Sequence, residues 1–404
     1  MATSSKVLSL SGKGLKLDTR ADIEPWLAPF DPAVVEEIHL GGNTLGVEAA
    51  TALGEFLEKT EVLKIADFAD IFTGRLISEI PLALSAICDA LKDKTSLIEL
   101  NLSDNAFGGR SVDPIVPFLT YNRSFQVLKI NNNGLGPAGG VVLANALLES
   151  ARLSKAEGKR SNLRTIICGR NRLEDGSAHV WAEAFAAHET LVDVRMPQNG
   201  IRMQGIAALA RGLAKCADLE HIDLQDNTFT EDGAVLALEA WTDALRSWPE
   251  LRILNLSDCV LSSEGEVPIL VSALATGINA KLHTLALQNN NLETRTFSLL
   301  AEGISSSLGS LMALELQYND QEDDDEHIET LALSLKQRGG KLFATDEDEE
   351  EEEREAEQRE AEAEEEKAKE QAQVEGVKVE EKKPTLADKD ADALADLLSK
   401  VEIH

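Results

Sequence analysis

Four cysteines in 404 residues, Cys88, Cys168, Cys216 and Cys259, stand far apart with no CxxC pair. Neither a zinc cluster nor a disulfide scaffold can be drawn from that spacing, and four reduced thiols in the core are expected. The seven histidines form no HExxH pair and join no cysteine at metal-ligand spacing, and no GxSxG elbow occurs. Metal-assisted hydrolysis and acyl transfer therefore have no visible constellation, and no metal is expected. No apolar run reaches the length of a membrane span, and the opening MATSSKVLSLSGKG holds no secretory core. The expectation is a soluble, intracellular chain that is not inserted in a membrane. Positive charge is the scarcest commodity: 39 Lys and Arg face 71 Asp and Glu, for a net charge of −32. Residues 346–404 hold 24 acids and 9 bases, net −15, which leaves −17 on the remainder. Such a body repels nucleic acid and anionic lipid and suits a basic protein surface.

What the chain does contain is a repeat. In LKINNNGLG at 128–136, Leu128 and Ile130 alternate as in a strand, Asn133 follows at a fixed offset, and Leu135 leads into a helix-like run. The pattern LxLxxNxL returns with Asn43, Asn105, Asn171, Asn199, Asn227, Asn290 and Asn319, several of them 28 or 29 residues from the next. That period and pattern define the leucine-rich repeat. A strand and a helix per unit cannot bury their apolar faces alone, so units stack into one core. Strands lie about 4.8 Å apart and helices roughly 8–10 Å, so the stack bends with its strands inside. The predicted fold is an α/β horseshoe solenoid of about eleven repeats, like that of ribonuclease inhibitor. A closed βα barrel is disfavoured, since it stops at eight units. The asparagines should form a ladder, each amide satisfying backbone groups of a buried turn.

Domain limits follow composition. The repeat domain with its caps spans 1–345, an acidic disordered segment 346–384, and a short amphipathic helix 385–404. Residues 6–32 form the N-terminal cap, with Lys13 in the ladder slot and GKG at 12–14 read as a turn, because a phosphate loop needs further glycines and a Ser or Thr. Ile328 to Leu335 reads as the C-terminal capping helix. Cys259 takes a ladder slot, implying an altered turn. Two insertions interrupt the period. IADFADIFTGRLISEIP at 65–81 puts Phe68 in the ladder slot and adds a polar loop carrying Gly74 and Arg75, with Ile71, Phe72 and Ile80 as apolar anchors. ESARLSKAEGKRSN at 149–162 lengthens a helix and its loop and is expected to be solvated. His221 and His283, just before repeat strands, read as capping or exposed.

The residues one before each ladder slot, Asp104, Asn132, Arg170, Gln198, Asp226, Asp258, Asn289 and Tyr318, should form an exposed polar row fit for a protein partner. On the residues alone, Arg75 is an exposed loop cation that could pair with Glu79.

Together, DIFTGRLISEIP at 70–81, LKINNNGLGPAGG at 128–140 and the acidic tail resemble the Ran GTPase-activating proteins of fungi. The resemblance implies a chain that is not itself an enzyme but accelerates hydrolysis of Ran-bound GTP in support of nucleocytoplasmic transport. It implies no cofactor of its own, GTP and magnesium arriving with the partner. It places Arg75 outside the phosphate site, where it orders the GTPase's catalytic glutamine rather than acting as an arginine finger, and Asn132 beside that glutamine. Asp70, Thr73, Glu79, Asp104, Arg170, Gln198, Asp226 and Asp258 are the expected partner contacts. A monomer is expected, working with Ran-GTP and with a Ran-binding protein as a helper, resident in the cytoplasm, at the nuclear envelope or shuttling. The competing readings are a non-catalytic acidic binding module and a chaperone for a basic protein.

Overall fold

The computed structural model describes residues 5–321 and 325–345. The segments 346–384 and 385–404, for which disorder and a helix are expected, lie outside the described residues. Among the described residues twelve three-residue strands form one parallel sheet in strict sequence order, from Val7–Ser9 to Lys341–Phe343. The register is constant: each strand's middle residue faces the next one's, as in Leu8 against Ile38, Leu100 against Leu128 and Leu314 against Leu342. Those middle residues are buried while their neighbours are partly exposed in nearly every strand, because alternation points successive side chains to opposite faces. The first and last strands do not pair with each other, so the sheet stays open and the barrel alternative fails. The first strand belongs to the N-terminal cap and the last follows the C-terminal capping helix, which leaves ten strands for the repeats between them where about eleven units were expected.

The helices, among them Val47–Glu58, Ile80–Leu91, Gly136–Ala156, Glu174–His188 and Met203–Leu213, pack successively on the other side of the core. The predicted capping helix is Glu326–Gln337, started by Asp325, whose carboxylate accepts the His327 N–H at 2.8 Å. All four thiols are buried, and burial pushes those of Cys88, Cys168 and Cys216 up to about 12. The insertion at 149–162 carries the helix Gly136–Ala156 to 21 residues, but it is not wholly solvated: Ser150, Ala151 and Ser154 are buried.

The asparagine ladder is present. Asn133 Nδ2 donates to the carbonyls of Leu102 (3.0 Å) and Asn131 (2.9 Å), while its Oδ1 accepts the Asn105 N–H (3.0 Å). Asn105, Asn171 and Asn199 repeat the pattern. Phe68 is not in this ladder. It lies two residues beyond its strand's centre, where other units carry their second leucine, and the slot belongs to Ile71, whose N–H donates to Asn105 Oδ1 at 2.8 Å. The insertion starts after that slot, so the strand register survives it. Cys259 also leaves its turn unaltered: its thiol lies 3.3 Å from the carbonyls of Leu224 and Ser257, in place of the amide.

Candidate functional site

Every turn that follows a strand is built alike, and the turn decides what the rim presents. The residue before the ladder slot is left-handed in nine successive units: Asp70, Asp104, Asn132, Arg170, Gln198, Asp226, Asp258, Asn289 and Tyr318 have φ between 47° and 61°. In this conformation the N–H of each, from Asp70 to Asn289, turns to the next repeat's carbonyl. Asn132 donates to Gly169 and Gln198 to Gln225, at 2.9 and 2.8 Å. The side chains then project as one row at the strand ends. Asp104, Arg170, Gln198 and Asp226 are exposed, while Asp70, Asn132 and Asp258 are partly so. L residues resist positive φ, and Asn and Asp resist it least, which accounts for most of the row but not for Arg170, Gln198 or Tyr318.

Asn132 Nδ2 donates to Asp104 Oδ1 at 2.9 Å, so the neighbouring carboxylate sets the amide's orientation. Asn289 and Asp258 make the same pair at 2.7 Å.

The insertion is shaped from inside. Ile71, Phe72 and Ile80 are buried as expected, and Gly74 adopts φ 77°. Thr73 Oγ1 donates to Asp70 Oδ1 at 2.5 Å, and Glu79 accepts the Leu76 N–H at 3.1 Å. Arg75 corrects the expectation most sharply. Its side chain is only 9% exposed and makes no pair with Glu79. The guanidinium reaches back to the N-terminal cap and the first repeat: Nη1 pairs with Asp18 Oδ1, Nε donates to Thr44 Oγ1 at 2.7 Å, and Nη2 donates to the Thr44 carbonyl at 2.8 Å. In turn Arg75, with Lys16, holds the Asp18 carboxyl below its ordinary range. The loop's outward face belongs to Leu76 and Ile77, 67% and 60% exposed. Asp18 and Thr44 were missed because they lie 57 and 31 residues from Arg75 in sequence and no local pattern links them.

The concave face escaped the sequence reading too. The strand residues flanking each buried centre line it. His39 bridges Glu37 and Asp67 at 3.1 and 3.3 Å, Lys129 pairs with Glu99 at 2.6 Å, and Arg195 forks onto Asp193. His221 is neither cap nor exposed: it is partly buried on this face, 3.5 Å from Asp193. Burial raises the Asp223 carboxyl above its usual range. Because most of the cations here are already paired with carboxylates, the face as a whole offers negative charge. Among the described residues no group of three or more His, Cys, Asp or Glu is arranged to hold a metal ion.

With the geometry in hand, comparison places the chain among known proteins. The Leucine Rich repeat family matches residues 93–116 and 121–144. The chain is 37% identical over 339 residues to Ran GTPase-activating protein 1 of Saccharomyces cerevisiae, covering 81% of each. It is 46% identical over 198 residues to Ran GTPase-activating protein 1 of Xenopus laevis, 48% of this chain and 34% of the longer relative. Ribonuclease inhibitor of Sus scrofa is 26% identical over 261 residues, 64% of this chain and 53% of that one.

Proposed function

The chain belongs to the Ran GTPase-activating protein family, and from that premise we propose that it accelerates hydrolysis of Ran-bound GTP by ordering the GTPase's own catalytic glutamine. Hydrolysis needs a water held in line, charge stabilised on the transferring phosphoryl, and magnesium, and the GTPase brings nucleotide and metal with it. What remains for the activator is geometry. The observation that carries this reading is the engagement of Arg75: its guanidinium is bound to Asp18 and Thr44 within the chain, so the insertion offers no free arginine to a phosphate. Arg75 acts as a positioning residue that stretches its loop across the cap and fixes where Leu76 and Ile77 meet the partner.

Asn132 is the candidate for the glutamine. With Nδ2 tied to Asp104, its carbonyl oxygen and second amide hydrogen are left for a partner side chain. The acidic body steers a basic partner surface and raises the association rate. Asp104, Asp226 and Asp258 would set register along the rim, with Arg170 and Gln198 between them. Help from a Ran-binding protein, action as a monomer, residence in the cytoplasm or at the nuclear envelope, and service to nucleocytoplasmic transport belong to the same proposal.

Single-turnover hydrolysis by Ran-GTP with catalytic amounts of this protein tests it. Arg75→Ala should lose about 10²-fold or more of the stimulation, the scale on which misplacement of reacting groups acts. Arg75→Lys should lose nearly as much, because an ammonium cannot reproduce the fork onto Asp18 and Thr44. Full rate in Arg75→Lys would return the role to simple charge. A non-catalytic binding module would leave hydrolysis unchanged in the wild type.

A further inference from the structure

At the opposite ends of the strands from the Asn132 row, three successive loops that lead into the strands Glu99–Asn101, Val127–Lys129 and Thr165–Ile167 line an open cavity of about 320 Å³. Its walls carry Lys92, Lys94, Arg123, Lys159 and Arg160 against one acid, Asp93, five cations on a body whose net charge is −17. Chance clustering on so acidic a surface would give the reverse. Two of the cations already converge on an anion: Glu157 accepts from Arg123 Nη2 at 2.5 Å and from Lys159 Nζ at 2.9 Å. Arg123 Nη1 is left without a hydrogen-bond partner, and Asn162 donates to the Arg123 carbonyl at 2.7 Å, fixing the loop that carries it. Arg160 has only a distant carboxylate, Asp218 at 3.9 Å, and Lys92 has none among the described residues. Lys94 is committed elsewhere, donating to the Glu58 and Thr60 carbonyls, and adds charge but no free donor.

We propose that this cavity is a binding site for a soluble polyphosphate anion, the chemistry shared by pyrophosphate and nucleoside diphosphates. Glu157 is not itself a wall residue; it shares Arg123 and Lys159 with the cavity, and a phosphate inside competes with it for them. A dianionic phosphate carries more charge and more acceptor oxygens than one carboxylate, and Lys92 and Arg160 are placed for a second phosphate. Tyr121, 61% exposed on the wall, offers a ring face to a nucleobase. The low position of the Glu157 carboxyl, pulled down to about 2 by Arg123 and then Lys159, agrees with a strongly positive locus.

Calorimetric titration of the full chain with inorganic pyrophosphate in low salt tests the site. One saturable site is expected, weakening at least tenfold in the double variant Lys92→Gln/Arg160→Gln and tightening several-fold in Glu157→Gln, which removes the internal competitor. Neither variant touches the Asn132 row, so stimulation of GTP hydrolysis should be unchanged, and thermal melts check that both fold. ADP binding tighter than pyrophosphate, with the margin lost in Tyr121→Ala, supports the nucleotide form of the proposal; equal affinities support the bare polyphosphate form. Absence of a saturable site, or affinities that ignore both the double variant and Glu157→Gln, overturns it.

Discussion

Two adjacent asparagines divide labour at the residue scale. Asn133 is fully buried and makes three ladder bonds, whereas Asn132 is partly exposed with φ 52°. Asn133→Ala strands the buried Asn105 N–H, while the Leu102 and Asn131 carbonyls keep Asn105 Nδ2 and the Asp104 N–H, and should cost roughly 1–3 kcal/mol in denaturant unfolding. Asn132→Gly places in the left-handed turn the residue that tolerates it best, so stability should hold while single-turnover stimulation falls by about 10-fold or more. Unchanged stimulation in that variant would remove Asn132 from the mechanism. His188 supplies a pH dependence. It is buried, its Nδ1 lies 2.6 Å from Ser161 Oγ, and burial lowers its pKa to about 4. A depressed histidine stabilises the fold above its unfolded value near 6.5 and loses that contribution as pH falls through 6.5 toward 4. Urea unfolding at pH 7.5 and 4.5 should differ by about 3 kcal/mol on this account, and His188→Gln should flatten that part of the profile.

At the scale of elements, spacing between helices sets how the strands fan. Gly212 lies in the helix Met203–Leu213 where a Cβ would come within 2.3 Å of the Ala182 carbonyl in the helix Glu174–His188. Gly54 meets the Ala86 carbonyl in the same way, at 2.7 Å. Gly212→Ala should destabilise by about 1–3 kcal/mol through overpacking, read from the shift in unfolding midpoint, while leaving the rim row and its activity in place once folded. The insertion at 65–81 shows the complementary rule. An element can grow a loop without losing register when the strand and ladder slot precede the extra residues and apolar anchors close it from beneath.

At the scale of the whole solenoid, repeated stacking gives a long rim on which charge is the main variable. Residues 1–345 and the segment 346–404 carry −17 and −15. If the body alone orders the GTPase and the segment adds only charge, truncation after residue 345 should leave the maximal stimulated rate unchanged. The second-order rate would then fall by a few-fold at low salt and converge with the full-length value at high salt, since screening removes the difference. Initial rates across an ionic-strength series check this, and loss of the maximal rate on truncation would favour the chaperone reading.

The fold was legible in the chain because its signal is local and repeated: strand alternation, the asparagine offset and the period each lie within one unit and recur. Asn133 could be assigned to the ladder and Asn132 to the rim from adjacent letters alone. One slip, Phe68 for Ile71, came where the insertion blurred the offset, and hydrogen bonding to Asn105 resolved it. Tertiary structure alone decided what distant residues do to one another. The burial of Arg75 against Asp18 and Thr44, the shared left-handed turn that aligns the rim, and the gathering of cations around Glu157 all join positions from different repeats. Periodicity dictates where each unit sits, but side chains thrown between units answer to charge and reach, which leave no pattern in a linear text.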